Sequence, residues 1–118
     1  MATADPTNTG LQRDLSASYN NIGDVLVAQG NLADALKSFR DSLAIRERLA
    51  QADQANVQSQ IDLILSHWRL ALQGDDAVRH WSLIVVTLRK LDTENKLTAE
   101  QQRWLLEAEK KRAQVQLE

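Results

Sequence analysis

Two histidines, an adjacent pair of asparagines and an arginine beside a tryptophan are the residues whose types and spacing invite a chemical reading of this 118-residue chain. Asp76 and His80 stand four apart, which on a helix is the spacing of two metal ligands on one face. A third ligand is not apparent, and an acidic residue in the first turn of a helix is already explained by the helix dipole. No metal and no cofactor is therefore assigned. His67 has several serines to serve as a general base, yet no glycine-framed nucleophile turn and no orienting acid accompany it. With no cysteine in the chain, thiol nucleophiles, disulfides and thiolate metal sites are excluded together. The chain reads as a non-enzyme.

Asn20 and Asn21 pose a different question, since asparagine inside a helix costs roughly half a kcal/mol against alanine. Each amide offers both a donor and an acceptor, which suits a clamp on a peptide backbone regardless of the peptide's sequence. The competing reading is that the pair faces solvent or bonds a neighbouring helix. Arg69 suits a ligand carboxylate, or an ordinary ion pair with Asp62 or Asp75. Trp68 reads first as core. The run Lys110, Lys111, Arg112 is offset by Glu107 and Glu109, as on a solvated helix end.

The composition, 43% hydrophobic and 25% charged residues, has globular proportions, and the length fits one domain, 1–118. Four glycines and one proline leave few turns for a sheet protein, while alanine, leucine, glutamine, glutamate and arginine favour helices, so the fold is expected to be all-α. A net charge of -2 with interspersed signs lacks the footprint of a nucleic-acid binder. No apolar run approaches the roughly 20 residues of a membrane helix, and Met1 to Gly10 has no signal-peptide core. A cytoplasmic protein without nucleic-acid or membrane partners is the expectation.

The chain repeats itself. A shift of 48 places Ala4, Asp5, Asn8, Gln12, Asp14, Leu15 and Ser18 on identical residues, seven identities over 19 aligned positions. The match resumes at a shift of 42, with Ala35 on Ala77, Phe39 on Trp81, Leu43 on Val85 and Leu49 on Leu91. The six lost residues fall around Gln73 and Gly74, so the first helix of the second copy is expected to be about a turn shorter. Each copy reads as two helices. Leu11, Leu15, Tyr19, Ile22 and Leu26 form one stripe, Gly30 and Asn31 supply a stop and an N-cap, and Ala35, Leu36, Phe39, Leu43 and Ala50 form the next. Ile61, Ile64, Leu65, Trp68, Ala71 and Leu72 mark a third helix, with Leu63 and Leu70 on another side. Asp75 or Asp76 caps a fourth, carrying Val78, Trp81, Val85 and Leu88. Thr98 and Gln101 form a capping box for a fifth, whose narrow stripe is Trp104, Leu105, Ala108 and Val115.

Tyr19, Asn20, Asn21, Ile22 and Gly23, followed by Gly30, Leu32, Ala35, Phe39 and Leu43, resemble the tetratricopeptide repeat. Ser42 to Arg48 after the asparagine pair resembles the longer variant found in kinesin light chains and many bacterial multi-repeat proteins. The resemblance spans about Asp5 to Leu91 and fades in the second copy, where Ala71 replaces the glycine and His67 the aromatic. It implies a right-handed stack of two helix pairs, repeat 1 at about 11–51 and a degenerate repeat 2 at about 57–91, closed by a capping helix at about 98–117. Gly23 and Ala35 would sit at the close approach within a pair, and Phe39 would fill the gap toward the next pair. The implied function is to bind a peptide or protein segment in a concave groove, with Asn20, Asn21 and Asp24 of the first copy and Trp68, Arg69 and Leu72 of the second as its lining. The alternative is a self-association module without a separate ligand. Because the counterpart of the opening Ala4, Asp5 and Pro6, at Ala52, follows a repeat's second helix, the chain is expected to be the C-terminal end of a longer array. Leu11, Val25, Ala28, Leu32 and Leu36 would then form an apolar N-terminal face suited to a homodimer.

Overall fold

The computed structural model describes residues 8–117, which form five helices and no strand: α1 (Thr9–Ala28), α2 (Leu32–Ala52), α3 (Val57–Leu72), α4 (Ala77–Thr93) and α5 (Ala99–Leu117). Ala4, Asp5 and Pro6, on which the expectation of a longer array rested, lie outside the described residues. At 16 residues α3 is one turn shorter than the 20-residue α1, as the lost residues implied.

Local chemistry starts these helices. The Oδ1 of Asn8 accepts from the Leu11 amide at 3.0 Å, and that of Asn56 accepts from the Ser59 amide at 3.1 Å. Asn8 and Asn56 are partners under the 48-residue shift, so this part of the internal identity is a shared N-cap. Asn31 caps α2 in the same way, accepting from the Asp34 amide. Thr98 and Gln101 close the expected reciprocal box on α5, with bonds of 3.0 and 3.1 Å. Asp76 occupies the N-cap position of α4 but makes no side-chain cap bond there, because its own backbone is left-handed, φ 47°. Its carboxylate pairs with Arg79 instead, at 3.8 Å.

Three helices stop by one device. The amides of Asn31, Asp75 and Lys96 reach back to the carbonyls of Leu26, Leu70 and Leu91, while those of Gly30, Gly74 and Asn95 bond Val27, Ala71 and Asp92. This paired pattern needs a left-handed residue at the turn. Gly30 and Gly74 adopt φ of 79° and 78° without a side-chain penalty, and Asn95 at 59° is among the few other residues that tolerate it.

The chain divides into two compact units, 1–66 and 67–118, with the boundary inside α3 and not in the loop between the expected repeats. The first unit holds α1, α2 and the first ten residues of α3, with Ala35, Phe39, Ile45, Ala50, Ile61 and Ile64 buried. Phe39 packs over Gly23, so closely that a Cβ on that glycine would overlap the ring. The ring of Phe39 seals the contact between α1 and α2 within its own pair, which is why residue 23 carries no side chain.

The second unit holds the end of α3, α4 and α5. Leu70, Ala71, Trp81, Ile84, Val85, Leu88, Leu91, Leu105 and Ala108 are buried there. Leu70 is fully buried and Leu72 is exposed. On α5, Leu105 and Ala108 are buried and Trp104 and Val115 half-buried. An ion pair of 2.6 Å between Arg89 and Glu109 ties that helix to α4, and Lys111 stands 5.9 Å from the centre of the Trp81 ring.

Phe39→Ala and Trp81→Ala are each expected to cost about 3–5 kcal/mol in chemical denaturation. Gly23→Ala should also destabilise, by about 1–3 kcal/mol, although alanine is the better helix former, because the ring of Phe39 must move. A Gly23→Ala chain as stable as the parent would show that Phe39 is not fixed there.

Candidate functional site

The first unit is built around a polar interior. Arg46 on α2 is 7% exposed, and its Nε donates to Ser16 Oγ on α1 at 3.0 Å. Its Nη1 donates to the Asp62 carbonyl at 2.9 Å and to Ser66 Oγ at 3.1 Å, both on α3. Ser42 Oγ lies 3.3 Å from Ser66 Oγ, and Ser16 donates onward to the Arg13 carbonyl at 2.7 Å. At the edge of the cluster the Arg13 Nε donates to Asp62 Oδ2 at 2.7 Å, and Gln58 Nε2 donates to Asp62 Oδ1 at 2.8 Å. The bond that Arg13 donates to Asp62, and the charge of Asp62, raise the Arg13 pKa above its ordinary value. One guanidinium thereby joins three helices.

Asn20 belongs to this interior. It is 2% exposed, its Nδ2 donates to Ser66 Oγ at 3.5 Å, and its Oδ1 is buried without a hydrogen-bond partner. Asn20 is thus corrected from a groove residue to a packing one. The physical reason is helical geometry: residue 20 follows Gln12 and Ser16 by whole turns, and all three face inward. Asn21 and Asp24 are exposed on the outward side of α1. The two asparagines therefore differ in environment, about 100° apart around the helix, one buried and one exposed.

The remaining expected lining lies in the second unit, where Trp68 and Arg69 are half-buried and Leu72 is 54% exposed. Trp68 meets Trp81 edge to face, with centroids 4.9 Å apart and planes at 82°, which makes it partly a core residue. Both carboxylate oxygens of Asp62, one of the two acids considered for Arg69, are engaged by Arg13 and Gln58.

His67 and His80 meet across α3 and α4, with Nδ1 atoms 2.8 Å apart. His80 therefore does not combine with Asp76, which is exposed and paired with Arg79. Burial, the charge of His80 and that of Arg79 lower the His67 pKa from 6.5 to about 4. Among the described residues no group of three or more potential ligands could hold a metal ion. Nor is any helix among them long and apolar enough to cross a membrane.

Neither Arg46 nor the histidine pair is among the residues whose spacing alone suggests a site. Arg46 does lie on the buried stripe of α2, at helical steps from Phe39 and Ser42, and that position was its signal. The two histidines lie 13 residues apart on different helices, so only the fold joins them.

The tetratricopeptide repeat family profile matches residues 15–56, which include α1 from Leu15, all of α2 and the loop that follows. The chain carries a tetratricopeptide repeat over those residues, within an all-helical structure of the kind such repeats build. Tetratricopeptide repeats are non-enzymatic scaffolds that generally mediate protein–protein interaction. No curated protein and no solved structure matches the chain.

Truncating Arg46 to alanine removes a buried donor from the hydroxyls of Ser16 and Ser66 and from the Asp62 carbonyl. Arg46→Ala is therefore expected to lower unfolding stability by about 3–5 kcal/mol, and Asn21→Ala to leave it within about 0.5 kcal/mol. Urea titrations of the two variants measure the contrast, and equal stabilities would contradict this placement of the side chains.

Proposed function

We propose that the chain binds an extended segment of a protein partner along the exposed face of α1, where the Asn21 amide holds the partner's backbone and Asp24 favours a basic side chain. The observation that carries this reading is the position of Asn21 and Asp24. They are exposed one turn apart on the outer side of a helix whose inner side is fixed by the Arg46 cluster, inside the matched repeat. An amide that both donates and accepts suits a peptide backbone, and a helix held rigid loses little entropy on binding. Trp68, Arg69 and Leu72 are proposed as contacts of the second unit in their own right. The exposed Leu72 would supply apolar area and Arg69 would receive a carboxylate.

A peptide library displayed against the parent chain, followed by fluorescence anisotropy on the enriched peptides, tests this reading. Asn21→Ala with Asp24→Ala should weaken binding by at least about tenfold, equivalent to about 1.4 kcal/mol, with the helical signal unchanged. Equal affinity of the double variant, or no enriched peptide, would overturn it.

A second reading, self-association, is favoured by a separate stripe of α1, where Leu11, Ile22 and Val25 are 43%, 50% and 55% exposed. Leu32 at the start of α2 adds a further exposed leucine, at 45%. Apolar side chains gathered on one helix face commonly find a partner. Light scattering at high micromolar concentration should then show a dimer that Leu11→Glu with Val25→Glu returns to a monomer. A parent chain that stays monomeric would remove this reading.

A further inference from the structure

Both histidines of the chain meet in the second unit. His67 and His80 are 6% and 5% exposed, their ring centroids lie 5.0 Å apart, and their Nδ1 atoms are within hydrogen-bond distance at 2.8 Å. At that separation one Nδ1–H donates and the other Nδ1 accepts through its lone pair, so the two facing nitrogens share a single proton. We propose that this imidazole pair is an acid-sensitive latch between α3 and α4, closed while the rings are neutral and opened when both are protonated.

The bond between the rings leaves added protons only certain places to go. A first proton can enter at the outer nitrogen of the donating ring and leave the Nδ1–H to Nδ1 bond intact, at the expense of placing a cation in the interior. A second proton must take the accepting Nδ1, whose lone pair already forms the bond. Two N–H groups then face each other and two cations stand side by side in a buried site, so the rings must part.

Charged groups of both signs stand near the pair. Arg79, next to His80 on α4, adds a further positive charge, and Asp76, one turn before His80, is drawn to Arg79. Arg69 follows His67 by two positions on α3, and Asp75 lies in the turn between the helices. On α5, Lys111 faces the neighbouring Trp81 and pairs with Glu107 at 3.5 Å. With burial, His80 and Arg79 all lowering the His67 pKa to about 4, an unfolded histidine near 6.5 takes its proton first. The pair's contribution to stability is thus complete above about pH 6.5 and is lost as the pH falls through about 4.

Trp68 and Trp81 directly follow the two histidines and touch edge to face, so they report on the latch. The full chain is titrated from pH 7.5 to 3.5, with imidazole nitrogen resonances and near-ultraviolet circular dichroism as readouts. The expected result is that both rings titrate below 6.5 and that the tryptophan signal is lost along with the second protonation. In His80→Gln the amide keeps a bond to the remaining ring but cannot form the second cation, and the tryptophan transition should move down by about one pH unit or vanish. If that variant does not fold, His67→Gln makes the same test from the other helix. Independent titration of both rings near 6.5 would overturn the proposal. So would a tryptophan transition at the same pH in parent and variant, since that would assign it to carboxylates.

Discussion

A guanidinium buried among hydroxyl groups decides how the first three helices lie. A cation removed from water is stable only where its donors are satisfied, and Arg46 finds its acceptors on both neighbouring helices: Ser16 on α1, and the Asp62 carbonyl and Ser66 on α3. The planar fork has fixed geometry, so these bonds set register as well as proximity. An apolar side chain of similar size could fill the space but would not distinguish one helix rotation from another. The inward turn of Asn20, and with it the outward turn of Asn21, follows from that rotation.

The second unit solves the same packing problem with rings. Where the first copy places Asn20 and Phe39, the shifted positions carry Trp68 and Trp81, which meet edge to face. Large aromatic area supplies the cohesion here, and the histidine pair adds a buried polar contact between α3 and α4. The two halves of the internal repeat thus share a helical frame and differ in interior chemistry. A polar interior built on arginine keeps its charge throughout the acid range, whereas one built on paired imidazoles loses its contribution as the pH falls from about 6.5 through about 4.

Much of this architecture is legible in the residues. Helix boundaries are written in local chemistry, in the asparagine caps, the glycine stops and the Thr98–Gln101 box, and such signals act over three or four residues. Facing is harder to read. Asp62 and Ser66 are buried, while Asp14 and Ser18, their identical partners under the 48-residue shift, are exposed. Identity in the repeat therefore marks a shared environment at Asn8 and Asn56 and none at these four. The candidate site divided in the same way: Asn20 and Asn21 are the same residue type, adjacent in sequence, and only the rotation of α1 separates an interior amide from a surface one. Arg46 sits where the stripe of α2 asks for an apolar residue, and its acceptors come from helices that the sequence does not show to be adjacent.

The claim that Arg46 sets the arrangement of the first unit is tested most directly by a double-mutant cycle between α2 and α3. Unfolding free energies would be measured for the parent, Arg46→Met, Ser66→Ala and the double variant. If the buried bond joins the helices as described, the two substitutions share one interaction, and the double variant should be more stable than the sum of the single losses predicts, by about 1 kcal/mol or more. Losses that add within about 0.3 kcal/mol would mean that the guanidinium and the serine stabilise the protein independently, and the account of the first unit would fail.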